Sequence, residues 1–453
     1  MSISIQDILH ATDGELIAEG RLSSFPLSIS TDTRNIKEGD IFVALKGDNF
    51  DAHNFLEQAV EQGVETLLVQ EDKGISGVNV VLVKDTLKGL QDLASYWRGE
   101  LTDRAIGITG SNGKTSTKDL TAAVLSQKFG TKATLGNFNN HIGLPLTILR
   151  NVREDEATIY EMGMNHPGEI APLCEIARPQ VGIITSVGTA HIEHMGSQDA
   201  IAKEKGMLGA ALPKDGTLII PTDIDYREVL LEMTSAEVIE TGIDSVSPIS
   251  ATEMRAEGNG TAFTLHTPKG SAEVLLPLKG RHMVSNALLA AAVGHVYGLS
   301  VEEIARGLSS VELTTGRLRQ FTYGTQTILD DTYNANPDSV KAAATTLKEA
   351  LSGDQRGYLV LGKMAELGNL TDQGHLDVGE FGANLGLDVI SVGSEASLIA
   401  EGAKKAGKGA EHFQTKKEAE DWLKNNLEEE SIILFKGSRS AAMETVMNAV
   451  FPE

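Results

Sequence analysis

The tightest constraint on how this chain can fold is one stretch, Ile106-Gly107-Ile108-Thr109-Gly110-Ser111-Asn112-Gly113-Lys114-Thr115-Ser116. The apolar run from Ala105 to Ile108 reads as a buried strand, and a helical pattern begins at about Thr115. Between them a glycine-rich turn closes on Gly-Lys-Thr-Ser. Such a turn points backbone N–H groups and a helix N-terminus at phosphate oxygens. Lys114 offsets the charge of the β- and γ-phosphates, and the Thr115 hydroxyl can hold Mg²⁺. The full eight-residue phosphate-loop pattern wants glycine at position 108, where this chain has Ile108, so the loop is the shortened form G-x-x-G-K-T. Short matches arise by chance, and the alternative is a plain glycine-rich turn; the strand before and the helix after favour phosphate. The expected triphosphate cradle is Gly110, Ser111, Asn112, Gly113, Lys114, Thr115 and Ser116.

At 453 residues the chain exceeds one ordinary core, and about three domains are expected. Lys plus Arg number 39 against 63 Asp plus Glu, a net charge of −24. A field of that sign disfavours nucleic acid or an anionic membrane as a general partner, so any anionic substrate must meet a local cationic site. The one cysteine, Cys174, cannot form an intrachain disulfide, which fits a reducing cytosol. Met1 to Gly14 lacks the pattern of a signal peptide, and no run of about 18 apolar residues is present, so no membrane insertion is expected.

From Met1 to about Thr102 short strands (Ile41 to Leu45, Val78 to Val83) alternate with helices (Phe55 to Gln62, Leu87 to Leu101). Ser30-Thr31-Asp32-Thr33-Arg34 is a polar cluster with one fixed cation; by itself it reads as a capped turn. The second unit runs from about Asp103 to Leu313. In it, Gly136-Asn137-Phe138-Asn139-Asn140-His141-Ile142-Gly143 offers neutral hydrogen-bond donors in Asn137, Asn139 and Asn140, or is simply surface loop. Ala157 to Tyr160 is a strand ending on Glu161, where α/β sheets place metal ligands. The strand Val181 to Thr185 leads to Gly188-Thr189-Ala190-His191, whose histidine is an ordinary loop residue or a site group with similar odds.

On the helix from about Asp199 to Leu212, Ile201, Leu208 and Leu212 share one face, and Lys205 lies on that same stripe. It either snorkels from the core edge or is buried for a purpose. A buried lysine becomes a neutral amine, which CO₂ converts to a carbamate anion, in effect an extra carboxylate towards Mg²⁺. Lys203 points to solvent. Thr217 to Lys279 reads as short strands with a hairpin at Thr267-Pro268-Lys269-Gly270, and Gly280 to Tyr297 as an alanine-rich helix with Asn286 near its start.

The third unit starts near Thr314. The strand Thr325 to Leu329 runs into Asp330-Asp331-Thr332-Tyr333-Asn334-Ala335-Asn336-Pro337, with a helix from about Pro337. Strands Tyr358 to Leu361, Val389 to Val392 and Ile432 to Phe435 alternate with helices Gln373 to Leu385, Ser397 to Ala406 and Ala441 to Val450. That alternation predicts a parallel sheet with helices on both faces.

Thr109 to Thr115, Gly136 to Asn140, Glu161-Met162-Gly163, His191 and Asp331 to Pro337 together resemble the Mur ligase family, over essentially the whole chain. The resemblance implies an α/β protein of three domains: a small α/β N-terminal domain binding the UDP end of a substrate (1–102), a central P-loop ATPase-type domain (103–313) and a C-terminal Rossmann-like domain (314–453). It implies a cytoplasmic, monomeric bacterial enzyme that joins D-alanyl-D-alanine to UDP-N-acetylmuramoyl-tripeptide with ATP and two Mg²⁺. Residue by residue, it implies that Thr115 and Glu161 hold one Mg²⁺, and that His191 and carbamylated Lys205 hold the second. Asn286, Tyr333, Asn334 and Asn336 would face the adenosine, Asp331 the ribose, and Arg317 (or the nearby Arg319) the phosphates. Ser30 to Arg34, with Asn137, Asn139 and Asn140, would serve the muramyl substrate. The loops Met364 to Gly368 and Lys436 to Arg439 would wall the dipeptide. His141 departs from the family, which has an acidic residue there. The alternatives are a folylpolyglutamate synthase-like amide ligase, a P-loop kinase or NTPase, and a non-catalytic nucleotide-binding module.

Overall fold

The computed structural model describes residues 2–21 and 24–452, so the chain ends 1 and 453 lie outside the described residues. Three large sheets, each with its own helices, make three α/β domains, and a two-stranded antiparallel ribbon, Ser2–Ser4 with Ser24–Pro26, accompanies the first. In the first, Glu15–Ala18, Asn79–Leu82, Thr66–Val69, Ile41–Val43 and Ile29–Ser30 lie side by side in that order, and only the first pair is antiparallel. The helix Thr86–Arg98, capped by Asp85, buries Leu90, Leu93, Ala94 and Trp97 on one stripe.

The central sheet has nine strands. Seven are parallel, from Ile249–Glu257 through Glu237–Ile243, Thr217–Pro221, Val181–Ile184, Ala105–Thr109 and Ala157–Glu161 to Thr131–Ala133, and the antiparallel hairpin Gly260–Thr267 with Gly270–Leu276 extends one edge. The alternating side chains of its strands feed two cores. Ile106, Ile108 and Ile159 pack with the helix Arg281–Val296, whereas Ala105 and Tyr160 pack with helices Ile170–Ala177 and Gln198–Ala211. Ala105–Thr109 has the next strand in sequence but one (Ala157–Glu161) on one side and Val181–Ile184 on the other. This is a topological switch point, where an α/β sheet leaves a crevice beyond the carboxyl ends of its strands.

The third sheet runs Arg319–Tyr323, Gln326–Asp331, Ile432–Lys436, Gly357–Leu361, Asp388–Val392, Ala410–Phe413. It is parallel except at the Arg319–Tyr323 edge, and apolar clusters cover both faces. Some elements depart from the sequence reading. Thr217 to Lys279 contains a helix, Arg227–Met233, as well as strands. Helices Val301–Ser309 and Lys416–Asn426 and strands Arg319–Tyr323 and Ala410–Phe413 are additional. The last helix starts at Glu444, after a separate 3-10 turn at Arg439–Ala441, because Ala442 adopts a left-handed φ of 48°.

Candidate active site

The crevice at the switch point is floored by the glycine turn. Gly113 has φ 82°, and a Cβ there would stand 2.6 Å from Oδ1 of Asn286, so only glycine lets that asparagine approach the loop. The turn is buttressed by the chain that follows Val181–Ile184: the Ser111 amide donates to the Ser186 carbonyl (2.9 Å), the Asn112 amide to Ser186 Oγ (2.9 Å), and the Gly188 amide to Ser111 Oγ (2.8 Å). Lys114 opens the helix Lys114–Leu125 and donates to the Gly110 carbonyl at 2.7 Å. Burial, above all, lowers its pKa, against the opposing pull of Glu161. Ser116 lies one residue past Thr115, and both are buried.

Glu161 stands at the carboxyl end of its strand, 2 % exposed. Its Oε1 accepts from Asn139 Nδ2 at 2.8 Å, whereas Oε2 is buried with no partner among the described residues. A buried carboxyl group with one bare oxygen is the kind of group a cation satisfies. Among the described residues no cluster of three or more His, Cys, Asp or Glu could hold a metal unaided. Lys205 is 1 % exposed. Burial, reinforced by Lys114, lowers its pKa well below the lysine range, which favours the neutral amine. Lys203, two residues earlier, is exposed and paired with Asp199.

The C-terminal domain closes this crevice with polar contacts. Arg317 donates to Thr115 Oγ1 at 3.3 Å, and its Nε is buried with no partner among the described residues. Tyr333 lies beneath the Arg317 guanidinium, 4.1 Å from CZ to ring centroid. The tyrosine that the sequence assigns to adenosine therefore holds the arginine in place here. Arg319 instead sits over Phe321 at the sheet edge, so Arg317 is the one at the phosphate loop. Asn336 and Asn112 exchange side-chain hydrogen bonds (2.8 and 3.3 Å), and Asn336 also caps the helix Pro337–Ala350. Asn334 is exposed and, with Ala335, lines the small cleft above Lys114 and Thr115 that also contains His191. Asp331 forms a buried ion pair with Lys436 at 2.5 Å. Both line a larger cleft of about 580 Å³ with Asn286, Ser116 and His282.

His282 and Asp338 are cleft residues that the sequence reading did not single out as binders, and Lys436, expected in a wall of the dipeptide site, lines this cleft as well. His282 sits one turn before Asn286 on the same helix, a spacing that was legible; burial pushes its pKa down to about 4. Asp338 accepts from the Thr189 amide (3.1 Å), a contact across domains that no local pattern announces.

Other expected residues lie apart from the phosphate loop. Asn140 accepts from the amides of Ile142 and Gly143 and so starts the helix Gly143–Arg150. Asn137 is exposed. His141 is exposed too, and its carbonyl is held by Gln91 of the N-terminal domain at 3.1 Å. Ser30 and Asp32 form a capped turn: Ser30 Oγ donates to the Asp32 carbonyl, and the Asp32 carboxylate pairs with exposed Arg34. The Arg34 hydrogen bonds hold the Asp32 carboxyl down at about 2.

Residues 108–294 match the Mur ligase middle domain and residues 316–439 the Mur ligase glutamate ligase domain. The UDP-N-acetylmuramoyl-tripeptide–D-alanyl-D-alanine ligase of Escherichia coli K12 is 39% identical over 99% of this chain and 98% of its own length. A crystal structure of MurF from Acinetobacter baumannii superimposes with a TM-score of 0.91 at 34% identity, covering 100% of this chain and 99% of the other. The Thermotoga maritima MurF ligase in complex with ADP gives a TM-score of 0.84 at 26% identity, over 93% and 96% of the two chains. Two matched domain families in sequence and a relative this similar from end to end show that the chain belongs to the Mur ligase family.

Proposed function

We propose that this chain is an ATP-dependent ligase that joins D-alanyl-D-alanine to the terminal carboxylate of UDP-N-acetylmuramoyl-tripeptide, making a peptidoglycan precursor. The name of the Escherichia coli relative supports the substrates, and the ADP complex of the Thermotoga maritima relative supports the nucleotide. The observation that carries the reading is the unsatisfied Glu161 Oε2 beside Lys114, under a lid that brings Arg317 to Thr115.

A carboxylate is a poor electrophile. One of its oxygens attacks the γ-phosphorus of ATP, the P–O bond to ADP breaks, and an acyl phosphate results. The dipeptide amine then attacks the acyl carbon; the tetrahedral adduct expels phosphate, and the amine nitrogen loses its proton. In the first step two anions must approach. Lys114 and Arg317 lower that barrier, each by on the order of 3 kcal/mol if well placed. Glu161 and Thr115 are suited to one Mg²⁺, which would draw charge from the phosphate oxygens. His191 and the carbamate of Lys205, formed from its neutral amine and CO₂ with loss of a proton, are the groups for a second. Asn286 and Asp331 would line the adenosine pocket, while Ser30 to Arg34 would meet the UDP end and Asn139 the muramyl end. The reading includes a monomer working in the bacterial cytoplasm; no helix among the described residues is long and apolar enough to cross a membrane.

Phosphate release, measured with each substrate left out in turn, tests the function. It should require both the muramyl tripeptide and D-alanyl-D-alanine; release without the dipeptide, or stimulation by folate plus glutamate, overturns the reading. For the carbamate, ¹³C-bicarbonate should give a carbamate resonance that Lys205→Ala abolishes together with activity. A fully active Lys205→Ala enzyme would end that part of the scheme.

A further inference from the structure

His191 belongs to the central domain and lines the small cleft with Lys114 and Thr115. Its Nδ1 lies 2.5 Å from Oε2 of Glu366, a residue of the C-terminal domain. The same glutamate accepts from the Glu193 amide through its backbone carbonyl at 3.3 Å. Both ends of the contact are left-handed although neither is glycine: φ is 64° at His191 and 61° at Glu366. Such backbone is strained for a residue with a side chain and persists only where its surroundings hold it. Gly368 completes the junction, since a Cβ there would come within 3.2 Å of Glu193. The loop at Met364 to Gly368 therefore docks on the His191 turn rather than merely passing it.

We propose that Glu366 is a positioning residue for His191: by accepting from Nδ1 across the domain seam, it leaves the Nε2 lone pair facing the cleft, and only when the two domains have met. A carboxylate only accepts, so the bonded ring nitrogen must carry the hydrogen. A ligand histidine held this way has its tautomer and ring plane set by the outer partner. Here that partner sits on the other domain, so an open molecule has an unoriented His191. The His166 and His194 rings pack 4.6 Å apart beside Glu366. The assembly ties completion of the site to closure, and so limits ATP cleavage in the open form.

This inference rests on the ligase reading above, and two readouts separate their failures. ¹⁵N-histidine NMR on the full chain with a non-hydrolysable ATP analogue, and with His191→Gln to assign the signal, reads the tautomer without catalysis. The wild type should show His191 protonated at Nδ1, and Glu366→Ala should shift it to the Nε2–H form favoured in water. In steady-state assays Glu366→Ala should lose about 10–100-fold in kcat with KM for the muramyl tripeptide nearly unchanged. Glu366→Gln, whose amide oxygen still accepts, should recover most of that loss. An Nε2–H tautomer in the nucleotide-bound wild type, or an unchanged tautomer in Glu366→Ala, overturns the proposal whatever the assay shows. Glu366→Gln as impaired as Glu366→Ala overturns it as well. Loss of the ligase reading alone would leave the NMR result standing.

Discussion

The central domain meets its two neighbours through seams of opposite character. Towards the N-terminal domain, Ile5, Ile8, Leu90, Leu93 and Trp97 form one continuous buried cluster with Leu144, Ile148, Leu173 and Ile176. Directional bonds only pin it: Trp97 Nε1 donates to the Asn151 carbonyl (2.9 Å), and buried Arg98 donates to Ala177 at the end of a central helix (2.6 Å). Towards the C-terminal domain the contacts around the loop are amide, carboxylate and guanidinium pairs: Asn112 with Asn336, Thr189 with Asp338, His191 with Glu366, Thr115 with Arg317. Apolar burial is lost whole when a seam opens, whereas each polar contact trades for water at small net cost. The first seam is therefore a shared core that resists opening, and the second is the one whose opening costs less.

The sharpest way to break this contrast is Trp97→Ala. Removing that side chain from the shared core should cost about 3–5 kcal/mol, seen as a lower midpoint in urea unfolding, with nucleotide affinity in the surviving folded fraction unchanged. A loss under 1 kcal/mol would mean the first seam is not a core.

An intermediate effect is expected at the second seam through pH. His282 has its pKa lowered from 6.5 to about 4 by burial, with Lys436 pushing the same way and Asp331 opposing. Between those values the unfolded chain binds a proton that the folded chain refuses, so stability falls as pH drops from about 6.5 towards 4. The penalty is about 1–3 kcal/mol. His282→Gln should flatten that part of the stability–pH curve, while a variant of the apolar seam should leave its shape alone.

The smallest effect belongs to Asn112→Ala, which removes the amide pair between domains. Global stability should change by about 1 kcal/mol or less, yet the nucleotide-dependent compaction seen by small-angle scattering should weaken. Loss of several kcal/mol would place this contact with the first seam instead.

Much of this was legible in advance where the signal is local. The strand, glycine turn and helix around Lys114, the carboxylate ending a strand at Glu161, and the lysine on an apolar stripe at 205 all follow from short-range patterns within one domain, and the last two side chains are buried. Elements with thin signals escaped. Arg227–Met233 spans only seven residues, and Lys416–Asn426 buries just Ala419 and Leu423, too little for a periodic stripe. The hairpin edge Arg319–Tyr323 was hidden because exposed edge strands need no apolar alternation.

The sequence alone determined the fold class, the phosphate loop and the family, since backbone conformation, apolar period and glycine placement are written residue by residue. Only the tertiary structure decided that Tyr333 supports Arg317, that Asn336 bonds to Asn112, and that Glu366 faces His191. Those partners lie more than a hundred residues apart in two of the three cases. What joins those two is the meeting of two domains, a geometry that no window of sequence contains.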